Sequence, residues 1–123
     1  MNNAILNDVK SYIGLNPDME DTTMDNAIVI FINSAFDDLA RIGVGQYGGF
    51  SIVNKDETWD DYLPEDLKDL LSSIKSYVCI YTVMHWDTPT GAKQSALEEA
   101  LRKLEFTIQT AIELKDESES PAL

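Results

Sequence analysis

The chain has 123 residues, nine Lys and Arg against 22 Asp and Glu, and a formal net charge of −13. That length gives one domain with one core, and 44% hydrophobic residues exclude a disordered chain. The charge excludes binding of nucleic-acid phosphate or anionic lipid by general attraction, and the single cysteine, Cys79, excludes an internal disulfide.

The longest weakly charged apolar stretch, Ser76 to Trp86, is about half the ~20 residues a bilayer span needs. Met1-Asn2-Asn3-Ala4 lacks the basic region and apolar run of a signal peptide. The expectation is a soluble protein made in the cytoplasm, with no membrane contact.

Four helices follow from periodicity. In the first, Ile5, Val9, Tyr12 and Ile13 recur at helical spacing, with Asn3 as cap and Gly14 as stop. An acidic link, Asn16 to Asp21, leads to a second helix capped by Thr22 or Thr23, with Asp25 in its first turn. Its stripe is Ile28, Phe31, Ile32, Ala35, Phe36, Leu39 and Ile42, and Gly43 ends it. Asp37 and Asp38 fall off the stripe and should face water.

Between Val44 and Ile52, the glycines Gly45, Gly48 and Gly49 rule out a stable helix, because each costs roughly 1 kcal/mol there. A small hairpin or an ordered loop suits them. Thr58, three residues before Asp61, forms the frame of a capping box for a short turn carrying Trp59 and Tyr62.

The third long helix opens at Pro64 with Glu65 and Asp66. Its inner face is Leu67, Leu70, Leu71, Ile74, Tyr77, Val78, Tyr81 and Met84. Beyond Lys75 it is apolar nearly all round, with Cys79, Ile80, Val83 and Trp86 on other sides. Such a helix is central to a bundle or half buried against another subunit.

Asp87 to Gly91 breaks it. The fourth helix runs from about Ala92 to Leu114, with Leu97, Leu101, Leu104, Ile108, Ala111 and Ile112 inward. Glu98 with Arg102 and Glu99 with Lys103 have i, i+4 spacing in the favourable order. The expected fold is therefore mostly α: a bundle of about four helices with a glycine-rich hairpin or loop between the second and third long ones. Residues 1–114 form one helical domain and 115–123 a mobile acidic tail.

Groups for catalysis are few. His85 is the one histidine, at the end of an apolar helix, where a capping or packing role suits it. Cys79 has no evident basic neighbour to activate it. An EF-hand frame starting at Asp18 puts Thr23 where Gly is wanted and Val29 where the bidentate acid belongs, so it fails. The acids Asp56, Glu57, Asp60, Asp61, Glu65 and Asp66 follow no metal spacing, and the glycines match no nucleotide-binding fingerprint. The residues alone describe a non-catalytic helical interaction protein with no cofactor and no metal.

A set of short segments then carries a resemblance. They are Ser11-Tyr12-Ile13-Gly14-Leu15, Phe31-Ile32-Asn33-Ser34-Ala35, Gly43-Val44-Gly45, and Gly49-Phe50-Ser51-Ile52. Glu57-Thr58-Trp59-Asp60-Asp61-Tyr62-Leu63, Ile74-Lys75-Ser76-Tyr77-Val78, Trp86-Asp87-Thr88-Pro89 and Leu104-Glu105-Phe106 follow in order. Together, over residues 4 to 114, they resemble the head-tail connector family of long-tailed DNA phages, also called head-completion or adaptor proteins.

The resemblance implies a virion neck protein, made in the bacterial cytoplasm, that forms a ring of about twelve copies on the portal protein. Such a ring extends the channel through which double-stranded DNA passes without specific binding, and supports a further neck or tail-completion protein. No catalysis is implied. The C-terminal segment, with Pro121 and Leu123, would reach toward the portal. Asp37, Asp38, Asp56, Asp60 and Asp61 are candidates for a DNA-repelling channel wall. Candidate subunit or portal contacts are Cys79, Ile80 and Val83 on the third long helix and Tyr47, Phe50 and Trp59 around the glycine-rich loop. The alternative for those aromatics is that they cover the bundle.

Two readings compete. A DNA-mimic inhibitor would use the same acidity to occupy a basic protein's groove, but its acids should be spaced like phosphates, and here they cluster near turns and helix starts. An enzyme would have to depend on His85.

Overall fold

The computed structural model describes residues 4–14, 25–44, 50–54, 56–63, 65–86 and 90–119, without side chains for Asp66 and 115–119. Its helices are α1 (Ile5–Tyr12), α2 (Asp25–Arg41), α3 (Trp59–Tyr62), α4 (Leu71–Trp86) and α5 (Gly91–Glu119), with a 3-10 helix at Glu65–Leu70 before α4. No strand occurs among the described residues. Ala4 and Thr58 form an isolated antiparallel bridge. The mostly helical bundle expected from periodicity is present.

Helix α4 is the centre. It packs against α2 on one side and α5 on the other, and α1 rests on α2 and α4. This explains why α4 is apolar nearly all round: Ile74, Tyr77, Val78, Cys79 and Thr82 are all buried. Thr82 satisfies its hydroxyl within the helix by donating to the Val78 carbonyl at 2.8 Å. The core joins Ile5, Leu6 and Val9 of α1 to Ile28, Ile32, Ala35, Phe36 and Leu39 of α2, and to Ile108 and Ile112 of α5.

Several local expectations change. The residue that caps α1 is Ala4, and it offers no side-chain cap. Asn3 and the cap candidates Thr22 and Thr23 lie outside the described residues. Tyr12 is about half exposed, and Leu6 takes the inward place beside Val9. Lys10 is buried and bonds Asp25 at 2.8 Å, tying α1 to α2. The third long helix begins as a 3-10 turn before becoming α-helical at Leu71. Helix α5 continues past Leu114 to Glu119. On its surface Arg102 pairs with Glu99 at 3.0 Å, a spacing of three, and Glu98 accepts from Gln94.

The segment before α3 is held by side chains in place of strands. The capping box at Thr58 and Asp61 is complete: the Thr58 hydroxyl accepts from the Asp61 N–H, and the Asp61 carboxylate accepts from the Thr58 N–H. Glu57 folds back to accept from the Val53 and Asn54 N–H groups at 3.0 and 3.2 Å. Its own carbonyl accepts from the Ile5 N–H at 3.1 Å, which fixes the start of α1. The glycine-rich stretch 45–49 lies outside the described residues.

Gly43 ends α2 with φ +99, a left-handed position where glycine carries no Cβ penalty. A Cβ there would stand 3.2 Å from Cγ2 of Ile112, so glycine also lets α5 approach the end of α2.

Candidate functional site

The residues proposed for assembly divide between core and surface. Trp59 is buried. Its indole N–H donates to Asp8 at 2.7 Å, and the Lys75 ammonium lies 5.6 Å from the ring centroid and 3.4 Å from the same carboxylate. The reading of Trp59 as an exposed contact is therefore corrected: α1 and α4 already cover it. The reason is polar, because the indole N–H needs an acceptor and Asp8 supplies one inside the protomer.

Phe50 is half buried. Its ring packs on Phe36 and Tyr62 with centroids 5.6 and 5.2 Å away, so it closes the bundle and leaves one side to solvent. Tyr62 is fully inside, and burial raises its pKa above the ordinary phenol value. Tyr47, Pro121 and Leu123 lie outside the described residues.

On α4, Cys79 is buried, which corrects its reading as a subunit contact. Burial pushes its thiol up to about 11, with the Asp8 charge adding to the effect, so it stays protonated and inert. Ile80 and Val83 are half buried and keep part of their surface available.

His85 caps its own helix as an aromatic packer. Its Nδ1 lies 2.8 Å from the Tyr81 carbonyl, and its ring stacks on Tyr81 at 4.4 Å and approaches Phe31 at 5.7 Å. Tyr77 continues this face of α4, donating its hydroxyl to Glu105 of α5 at 2.8 Å.

The acids fall into two groups. Asp37 is exposed on α2, and Asp38 beside it bonds Arg41. The field of Asp38 reaches Tyr77 and Tyr81 and helps raise both phenols, after the larger effect of burial. Asp56, Asp60 and Asp61 are exposed around α3. Asp60 bonds Lys68 at 3.2 Å, and Lys68 also bonds Glu65 at 3.3 Å. These partners raise the Lys68 pKa, the Asp60 hydrogen bond most. Among the described residues no three His, Cys, Asp or Glu groups come together to hold a metal ion.

Sequence reasoning missed another feature. Phe106 and Leu114 of α5 are 71% and 60% exposed. Each lies two positions from a buried residue, Ile108 and Ile112, and so about 200° round the helix from it. The signal was readable: Phe106, Thr110 and Leu114 form a second row at spacing four, opposite the core stripe.

The short segments that carry the resemblance meet in space. Asn33 bonds the backbone of Ile52, Trp59 meets Lys75, and Tyr77 meets Glu105. Five of the segments, far apart in sequence, are thus joined through these contacts. A family model described as phage connector protein matches residues 5–115. The chain belongs to that family. No curated protein and no solved structure matches it.

Connectors are structural proteins, and membership implies contact with other components of the phage capsid or tail and a place in the virion. Among the described residues of this connector, no helix is long and apolar enough to cross a membrane. Its exposed acids, the partly exposed Ile80 and Val83, and the outer row of α5 all lie at the surface of the protomer.

Proposed function

We propose that this connector is a neck protein that assembles as a ring on the portal, extends the DNA channel and supports the next neck or tail component. The family match over residues 5–115 carries the reading. The ring we propose has about twelve copies, the number the family resemblance implies for a match to the portal.

The charge suits a channel. A protomer at −13 makes a wall that repels DNA and lets it slide without sticking. Asp37, exposed on α2, and Asp38 next to it are assigned to that wall. Ile80 and Val83 are assigned to a subunit or portal contact. Pro121 and Leu123 are assigned to the portal side.

The decisive experiment mixes the purified protein with its cognate portal and measures the complex by electron microscopy and by mass. A ring capping the portal at matching copy number is expected. A protein that stays free at high concentration, with the portal and the other neck components present, would refute the assignment.

A further inference from the structure

The connector has 22 acids and nine bases, and most of its described cations are already engaged within the protomer. Lys10 bonds Asp25, Arg41 bonds Asp38, Lys68 bonds Asp60 and Glu65, and Lys75 bonds Asp8. The outer face of α5 is different. Arg102, Lys103, Phe106 and Thr107 line a shallow open hollow there. Arg102 shares Glu99, while Lys103 has no carboxylate within ion-pair distance among the described residues. An exposed phenylalanine beside such cations calls for an occupant that is both apolar and acidic.

The same chain carries such a surface elsewhere. Val53 is 73% exposed, and Asp56, Asp60 and Asp61 are exposed close after it in sequence. The stretch 53–69 holds seven acids against Lys55 and Lys68. Val53, Asn54 and Thr58 to Asp61 within it are held in shape by the Glu57 and Thr58–Asp61 hydrogen bonds, so presenting them to a partner costs little ordering.

The two surfaces lie on opposite flanks of α4. Lys75 faces Trp59 and the 53–61 side, whereas Tyr77 faces Glu105 of α5. Those two α4 positions are about 200° apart round the helix. Two different, complementary patches on opposite flanks make a head-to-tail contact, and such contacts close into rings when the rotation permits. A two-fold dimer would instead need one patch that complements itself.

We infer that the outer face of α5, around Lys103 and Phe106, receives the 53–61 segment of the neighbouring copy, with Lys103 opposite its aspartates. This rests on the ring reading above and names the contact between its subunits. It places Asp56, Asp60 and Asp61 at a subunit boundary and leaves the channel wall to the α2 acids.

The test replaces Phe106 by the photocrosslinker p-benzoylphenylalanine in the full chain. Light and heavy-nitrogen copies are mixed, assembled with the portal and irradiated, and the joined peptides are read by mass spectrometry. Mixed-isotope crosslinks into the segment 53–61 are expected. Lys103→Glu should lower their yield about tenfold, and Asp60→Lys added to the same chain should restore it. Crosslinks to the portal, to another neck component or to a different part of the neighbouring copy would overturn this contact while the ring reading stands. A chain that never assembles would overturn the ring reading and this contact with it.

Discussion

The Asn33 carboxamide spans both backbone polar groups of Ile52: its Nδ2 donates to the Ile52 carbonyl at 3.0 Å, and its Oδ1 accepts from the Ile52 N–H at 2.8 Å. A side chain on α2 thus does for the segment after the glycine-rich stretch what a neighbouring strand would do. Ile52 is buried, so its two polar groups have few other partners.

Asn33→Ala is expected to cost about 2 kcal/mol, from two lost hydrogen bonds and two orphaned backbone groups. Asn33→Asp keeps an acceptor, loses the donor and adds charge, and should cost a similar amount. Urea denaturation followed by circular dichroism measures both. A loss under about 0.5 kcal/mol would show that Ile52 is held in some other way.

Trp59 and Asp8 give a second test. Trp59→Phe retains most of the buried ring but removes the indole N–H, and should cost about 2 kcal/mol. Trp59→Ala also opens a cavity and should cost about 3–5 kcal/mol. If Trp59 served mainly as a subunit contact, Trp59→Phe would leave monomer stability unchanged and weaken assembly alone.

At Gly43, alanine meets both a left-handed backbone and the Ile112 side chain. Gly43→Ala should destabilise by about 1–2 kcal/mol. Gly43→Ala combined with Ile112→Leu, which has no Cγ2 methyl, should recover only the steric part. Full recovery in the pair would mean that the backbone conformation is not the constraint.

Alkaline pH should loosen the fold. Burial first, and then the hydrogen bond to Glu105, raise the Tyr77 pKa above its ordinary value of about 10, and burial does the same for Tyr62. The folded state holds these protons more tightly than the unfolded chain. Their stabilisation is therefore complete below about pH 10 and is lost as pH rises toward the folded values. Denaturation midpoints from pH 8 to pH 11 should fall in the wild type and fall less steeply in Tyr77→Phe. Identical slopes would remove Tyr77 from this account.

Charge on α2 should control DNA passage. Asp37→Lys with Asp38→Lys would place cations where the channel wall is proposed, and DNA exit from assembled particles should slow. Ejection timed by release of dye-stained DNA reads the effect. Unchanged ejection, with rings intact, would move the wall elsewhere.

Much of the architecture was legible because it is local. The stripe from Ile28 to Leu39 defines the buried side of α2, Gly43 stops it, and the Thr58–Asp61 capping box forms within four residues. An all-round apolar helix left α4 either central to the bundle or half buried against another subunit, and packing made it central. The candidate contacts were less legible. Cys79 and Trp59 are apolar residues off an expected stripe, and sequence alone leaves open whether such a residue meets its own bundle or a neighbour. Phe106 and Leu114 escaped notice because Ile108 and Ile112 gave α5 a sufficient inner face.

By itself the sequence determined the helices, the Thr58–Asp61 capping box, the strong negative charge and the segments that mark the family. Each depends on side-chain period, turn chemistry or composition, which act over a few residues or over the whole sum. Only the tertiary structure decided that Trp59 turns inward to an Asp8 lying 51 residues away. It also decided that Lys10 is buried on Asp25, and that α5 leaves Phe106 facing outward. The physical reason is that helical period fixes which residues share a face, while the partners of that face are chosen by packing and by the need of each buried polar group for one of opposite kind.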